Sequence, residues 1–297
     1  MSSQKLIAVR DPQGFRPLCI GKLDKDIVFS SESCALDIMG AEFERDVKPG
    51  EVIVVTNNEM KSYDCKNGQN DGLCIFEYIY FARPDSTIDG INVHRFREEV
   101  GKYLAMQAPV DADFVAGVPD SGLDSALGYS KQSKIPYDMA FIKSKYIGRT
   151  FIQSTQTKRK SQVVLKLNPI KTTVAGKRIV LVDDSIVRGT TITRLIKILR
   201  RAGAKEIHLR IASPKFVGIC YFGTDVAKKD ELIAVGKTTE EICKEIGADS
   251  LEYLSLENLR KIAKESYRTG FCEGCFTGEY PIEVPDEIEK DKFEKVF

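Results

Sequence analysis

The run Arg178-Ile-Val-Leu-Val-Asp-Asp-Ser-Ile-Val-Arg-Gly-Thr-Thr191 constrains this chain more than any other stretch. Ile179 to Val182 are β-branched residues or leucine, the continuous apolar run of a strand covered on both faces. From Thr191 onward Ile192, Leu195, Ile196 and Leu199 recur at helical spacing, and Gly203 supplies a stop. A strand that enters a helix through a short polar turn fits an open α/β sheet, where ligands sit at the carboxyl ends of strands. Asp183 to Thr190 would lie at such an end. Open N–H groups at the helix start, with the hydroxyls of Ser185, Thr190 and Thr191, would form a phosphate cradle. Asp183 and Asp184 have the wrong charge for that phosphate. They suit sugar hydroxyls, a developing positive charge or a divalent cation. Acid pair plus anion cradle predicts a phosphorylated sugar held at both ends; the plainer alternative is an ordinary strand-turn-helix with an acidic surface turn.

Residues Asp183-Asp-Ser-Ile-Val-Arg-Gly-Thr-Thr191 resemble the phosphoribosyl-diphosphate (PRPP) signature of type I phosphoribosyltransferases, in the spelling typical of the amidophosphoribosyltransferase family. The resemblance implies an α/β domain of the type I phosphoribosyltransferase fold, a mostly parallel sheet with helices on both faces. It implies formation of 5-phosphoribosylamine and pyrophosphate from PRPP and ammonia, glutamine-derived in the family, as the first step of de novo purine biosynthesis. Under it, Ser185, Ile186, Val187, Arg188, Gly189, Thr190 and Thr191 hold the 5-phosphate. Asp183 and Asp184 meet the ribose hydroxyls and help retain Mg²⁺.

Pro119-Asp-Ser-Gly122 matches the family's pyrophosphate-side loop, where Ser121 would help position the metal. It also reads as a simple strand-to-helix cap. Ile142-Lys-Ser-Lys-Tyr-Ile-Gly-Arg-Thr-Phe-Ile152 matches the family's mobile active-site loop. Lys143, Lys145 and Arg149 would reach phosphate oxygens, and closure on a Gly148 hinge would exclude water. Taken alone, it is equally a basic surface loop.

Bulk properties narrow the remaining classes. The 297 residues suffice for one large or two ordinary domains. With 44 basic against 43 acidic residues, charge favours neither nucleic acid nor an anionic membrane. No apolar run approaches the ~20 residues of a membrane span, and no basic-then-apolar leader opens the sequence. A cytoplasmic protein is expected. The two histidines are His94 and His208, which argues against a His-centred triad. His208, in the strand-like Glu206-Ile-His-Leu-Arg-Ile211, reads as structural.

The eight cysteines are Cys19, Cys34, Cys65, Cys74, Cys220, Cys243, Cys272 and Cys275, and a disulfide framework is not expected in a cytosolic chain of this size. Cys272-Glu-Gly-Cys275 places two thiolates on one turn; by itself that spacing reads as redox, zinc or nothing. Its surroundings, Gly270-Phe-Cys-Glu-Gly-Cys-Phe-Thr-Gly-Glu-Tyr-Pro281, are similar to the family's carboxyl-terminal cluster motif. The resemblance adds Cys74, just before Phe76-Glu-Tyr-Ile-Tyr-Phe-Ala-Arg-Pro-Asp-Ser86, and Cys220 of Cys-Tyr-Phe-Gly223. It therefore implies a [4Fe–4S] cluster on Cys74, Cys220, Cys272 and Cys275, with zinc or a ligand-free buried set as the alternatives.

Two domains are expected, residues 1–71 and 72–297. Before residue 72, short strands are predicted at Leu6–Val9, Leu18–Gly21, Ile27–Ser30 and Val52–Thr56, with a helix at Cys34–Gly40. Leu6-Ile-Ala-Val-Arg-Asp-Pro-Gln-Gly-Phe-Arg-Pro17 and Ser31-Glu-Ser-Cys-Ala-Leu-Asp37 resemble the latter half of the family's β-rich, Ntn-hydrolase-type glutaminase domain. The family's terminal cysteine nucleophile has no counterpart, so ammonia rather than glutamine is the expected nitrogen source. A separate chain completing that domain, or a fragment, is the expected reason. After residue 72 an alternating pattern runs through a helix at His94–Gln107 and strands at Phe114–Val118, Met139–Ile142 and Ile207–Ala212. A homo-oligomer is expected by the same resemblance. The rival functions are a non-catalytic PRPP-binding regulator, a base-using phosphoribosyltransferase and an inactive fragment. No DNA-recognition domain is visible to support the first, and the four cysteines oppose the second.

Overall fold

The computed structural model describes residues 1–2, 4–56, 59–65, 72–144, 167–224, 228–265 and 270–285. The chain divides into two compact units, which do not follow a single cut at residue 72. The first comprises Met1–Phe96, Gly218–Ala227 and Ala263–Phe297; the second comprises Arg97–Val217 and Lys228–Ile262. Backbone pairing explains why residues after 72 join the first unit. Leu73–Cys74 forms a short parallel pair with Phe271–Cys272, tying this stretch to the carboxyl-terminal segment.

The first unit holds two three-stranded antiparallel sheets. In one, Glu51–Val55 lies between Leu6–Val9 and Met60–Asp64; in the other, Cys19–Leu23 lies between Asp26–Ser30 and Glu42–Asp46. The predicted helix occupies Ser33–Met39 and stops at Gly40, whose φ of 72° is the left-handed conformation a glycine adopts at least cost. Glu42–Asp46 and Met60–Asp64 escape the sequence reading. Their side chains are mostly charged and exposed, so no apolar alternation marks them.

A four-stranded parallel sheet builds the second unit, in the order Phe114–Gly117, Arg178–Asp183, Glu206–Ile211 and Ser250–Tyr253. Ile179, Val180, Leu181 and Val182 are fully buried. Because successive residues of a strand face opposite ways, burial of all four means both faces are covered. Ile192, Leu195, Ile196 and Leu199 of helix Thr190–Arg201 pack into this core, as their spacing predicts. Thr238 starts helix Thr239–Ile246 with a reciprocal capping box to Glu241. Helix Val93–Gln107 buries Phe96, Val100 and Leu104 along one stripe.

One predicted strand lies elsewhere. Phe141–Lys143, not Met139–Ile142, is extended, and it pairs antiparallel with Leu167–Pro169 outside the parallel sheet. The parallel pairing available to this stretch ends one turn earlier, in a single bridge between Tyr137 and Val115. His208 is structural, as expected: its ring nitrogens meet Ser250 Oγ at 3.0 Å and Glu206 Oε2 at 3.2 Å. No described helix is long and apolar enough to cross a membrane.

Candidate active site

Strand Arg178–Asp183 delivers Asp183 and Asp184 to the carboxyl end of the sheet's second position. Both are buried, with 7% of each residue exposed. The Asp184 N–H donates to Asp183 Oδ1 at 2.9 Å, which fixes the corner, and the Ala212 N–H donates to the Asp183 carbonyl at 2.9 Å. Ser121 and Ser185 donate their hydroxyls to the two oxygens of the Asp184 carboxylate. Burial raises the pKa of the Asp183 carboxyl well above the carboxylate range, and the neighbouring Asp184 charge adds to the rise. Burial raises Asp184 as well, opposed by the two serine hydroxyls. A buried acid pair without a countercharge holds a proton more tightly than either acid would in water.

Glycine 189 caps helix Thr190–Arg201 at φ 75°, with no side chain closing the helix start. The first N–H groups of the helix are therefore open, as an anion cradle requires. Thr190, Thr191 and Arg188 are exposed at this mouth, and Arg188 pairs with Glu231 at 2.5 Å. Ile186 behaves differently: its side chain is buried in the sheet core, so only its backbone faces the turn.

The second loop follows strand Phe114–Gly117. A cis peptide joins Pro119 to Asp120, and Gly122 leads into helix Leu123–Ser133. Close approach of backbones sets the loop against the central strand. A Cβ on Gly122 would lie 2.4 Å from the Val182 carbonyl oxygen, and one on Gly117 would lie 2.6 Å from that of Gly122. That contact brings Ser121 to Asp184. Gly122→Ala should therefore cost about 1–3 kcal/mol of stability, read as a lower thermal or urea midpoint; an unchanged midpoint would contradict the tight approach.

Lys143 ends strand Phe141–Lys143 and forms an ion pair with Asp120 of the second loop. Lys145, Gly148 and Arg149, the rest of the predicted mobile loop, lie outside the described residues.

Three segments of the first unit carry the four cysteines singled out by sequence. Cys74 and Cys272 stand side by side in the parallel pair. The Gly218 N–H donates to the Cys275 carbonyl at 3.0 Å, and Tyr280 Oη donates to the Ile219 carbonyl at 2.7 Å, which ties the Cys220 segment to the chain end. The thiols sense one another: Cys74, Cys220 and Cys272 all act on Cys275, and Cys220 acts on Cys272. Burial pushes Cys74 up to about 12 and raises Cys275 and Cys272 too. The Phe222 N–H donates to Cys220 Sγ at 3.4 Å. Cys19 and Cys34 are buried elsewhere and Cys65 is exposed.

Residues 101–215 match the phosphoribosyl transferase domain family. Amidophosphoribosyltransferases of Archaeoglobus fulgidus and Methanocaldococcus jannaschii are 50% and 51% identical over 95% and 96% of this chain. The solved glutamine PRPP amidotransferase of B. subtilis, complexed with ADP and GMP, superposes with a TM-score of 0.88 at 46% identity, covering 97% of this chain. Along nearly its whole length the chain is similar to amidophosphoribosyltransferases. It spans 62% and 63% of those two relatives and 64% of the solved chain.

Its second unit has the type I phosphoribosyltransferase fold, with the acid pair and the Gly189 helix start adjacent in one corner. Sequence reasoning placed Ser121 near that corner but missed the Asp120–Lys143 pair. The two residues are 23 apart, and only the antiparallel Phe141–Lys143 strand brings them together. It also missed Gly122 as a spacer, since an isolated Gly after Ser reads as an ordinary helix cap.

Proposed function

We propose that the chain performs the PRPP-dependent amino transfer of the amidophosphoribosyltransferases: ammonia displaces pyrophosphate at C1 of PRPP, giving 5-phosphoribosylamine. One observation carries this reading. A buried acid pair at the end of the central strand lies directly beside a helix start whose N–H groups are open. The C–N bond forms as the C1–O bond to pyrophosphate breaks, the electron pair leaves with pyrophosphate, and ammonia surrenders a proton to solvent. Positive charge grows on the ribose in between, and the buried Asp183 and Asp184 stabilise it without reorganising. Ser185 to Thr191 bind the 5-phosphate through backbone N–H groups and the hydroxyls of Ser185, Thr190 and Thr191. Ser121 orients the Asp184 carboxylate, and Lys143, released from Asp120, and Arg149 neutralise phosphate oxygens.

Magnesium fits this corner. Mg²⁺ is usually held by one or two carboxylates plus substrate phosphates and keeps waters besides. Such a site needs no all-protein cage, and among the described residues no three acidic, His or Cys groups form one. Asp183, Asp184 and Ser121 would hold it, and the ion would neutralise the departing pyrophosphate.

We read the four cysteines as ligands of a [4Fe–4S] cluster rather than of a single zinc ion. A four-iron cluster takes one thiolate per iron around a larger body. Cys74 and Cys272, paired across neighbouring strands, and Cys220 and Cys275, electrostatically coupled to them, suit that arrangement. The cluster would tie the three segments together.

The nitrogen donor we infer is free ammonia. Cys19 is buried in a strand, its thiol donating to the Ser30 carbonyl at 3.3 Å and its pKa pushed up to about 11, so it offers no glutamine nucleophile. The test supplies PRPP and Mg²⁺ with either glutamine or ammonium and follows pyrophosphate release. Release with ammonium and none with glutamine is expected. Absence of release with both would overturn the proposed activity.

A further inference from the structure

Arginine 16 lies far from the acid corner in sequence and has no part in the transfer described above. Its guanidinium is seated by three contacts in the first unit. It forms an ion pair with Glu77, donates to the Phe222 carbonyl at 3.0 Å, and lies over the Phe81 ring at 4.7 Å. Gly223, at φ 104°, leaves room for it: a Cβ there would stand 3.1 Å from Arg16 Nη2. Next to it, Phe15 stacks on Phe222 at 4.1 Å between ring centroids. These contacts reach the Cys220 loop on one side and the helix after Cys74 on the other. Arg16 acts electrostatically on Cys74 and Cys272, and Cys220 acts on Arg16. At Cys74 its attraction outweighs the opposing repulsion of Glu77.

Four thiolates around a [4Fe–4S]²⁺ core leave a net double negative charge, which a poorly solvated site disfavours. We propose that Arg16 is the counter-cation of the four-cysteine site, holding the Cys220 loop in place and setting how readily the cluster accepts an electron. This inference rests on the cluster reading given above. Arg16 touches no substrate; it is a positioning and charge-compensating residue. Nearby positive charge favours the more negative, reduced form, so its removal makes reduction harder. Lysine keeps the charge but loses the planar fork that meets Glu77 and Phe222 together. Glutamine keeps a donor for Phe222 and loses the charge. Charge and shape can thus be separated.

The experiment uses the chain purified anaerobically as wild type, Arg16→Lys and Arg16→Gln. Iron and sulfide are assayed, circular dichroism checks the fold, and the one-electron reduction by dithionite is titrated by electron paramagnetic resonance. Four irons and four sulfides in the wild type are expected. At a fixed potential, Arg16→Gln should lower the reduced-to-oxidised ratio about tenfold, about 59 mV for a one-electron couple, with Arg16→Lys close to wild type. Cluster loss from Arg16→Gln but not from Arg16→Lys supports the same assignment. Equal behaviour of both variants overturns it, whether they share the wild-type potential or both lose iron while keeping a native spectrum. A wild type without iron and sulfide sinks the cluster reading itself, a result separable from failure of the Arg16 assignment.

Discussion

Replacing both Asp183 and Asp184 with asparagine should lower pyrophosphate release from PRPP roughly 10²–10³-fold and, at neutral pH, make the folded chain more stable. The two effects share a cause. Both carboxyls are buried at the end of the central strand, and burial raises them above the ordinary carboxylate range, Asp183 the more strongly. A folded-state pKa above the unfolded value means the native chain binds more protons once pH exceeds the unfolded value of about 4. Stability then falls as pH rises through the window between the unfolded and the raised folded values. Below that window both states are protonated and the pair costs nothing. Asparagine removes the charge at similar volume, so the gain at pH 7 should be about 1–3 kcal/mol, shrinking toward pH 4. Urea melts at the two pH values, run beside the pyrophosphate assay, check both halves. An active double variant would remove the acids from the mechanism; a less stable one at pH 7 would remove the burial argument.

Cys275→Ser should produce the second large effect, loss of the proposed cluster together with a lower unfolding free energy. The four cysteines lie on three segments well separated in sequence, so a group bound to all of them acts as a cross-link. By analogy with a disulfide closing a long loop, its loss should cost about 2–4 kcal/mol. A serine hydroxyl is a hard, weakly acidic donor that replaces a soft thiolate poorly. Cys243→Ser is the control, because Cys243 sits on helix Thr239–Ile246 in the other unit, its thiol bonded to the Ala248 carbonyl at 3.3 Å. Iron content and melting temperature are measured for both. Iron retained in Cys275→Ser, or lost equally in Cys243→Ser, would contradict the assignment.

Much of the second unit is legible before any coordinates. A buried parallel strand followed by an amphipathic helix leaves a strong pattern, because both faces of Ile179–Val182 and one stripe of Thr190–Arg201 are apolar. The acid pair is equally visible, since two carboxylates at the end of such a strand have no structural reason to be there. Other elements hide for physical reasons. Ser250–Tyr253 completes the sheet with four residues, two of them buried apolar side chains, too short a run to show a period. Glu42–Asp46 is an edge strand whose charges keep it soluble and mask its pairing. Arg16 leaves no local trace at all, because what places it beside the cysteines is the fold of segments some 60 and 200 residues away.

In the proposed function the Asp183–Asp184 corner and the Gly189 helix start act as one PRPP-binding site. Titration calorimetry of PRPP with Mg²⁺ into the chain tests this most directly, in wild type and in the Asp183→Asn, Asp184→Asn double variant. A saturable one-to-one heat in the wild type, lost or strongly weakened in the folded double variant, is predicted. No heat in the wild type, or the same affinity in both proteins, would contradict it.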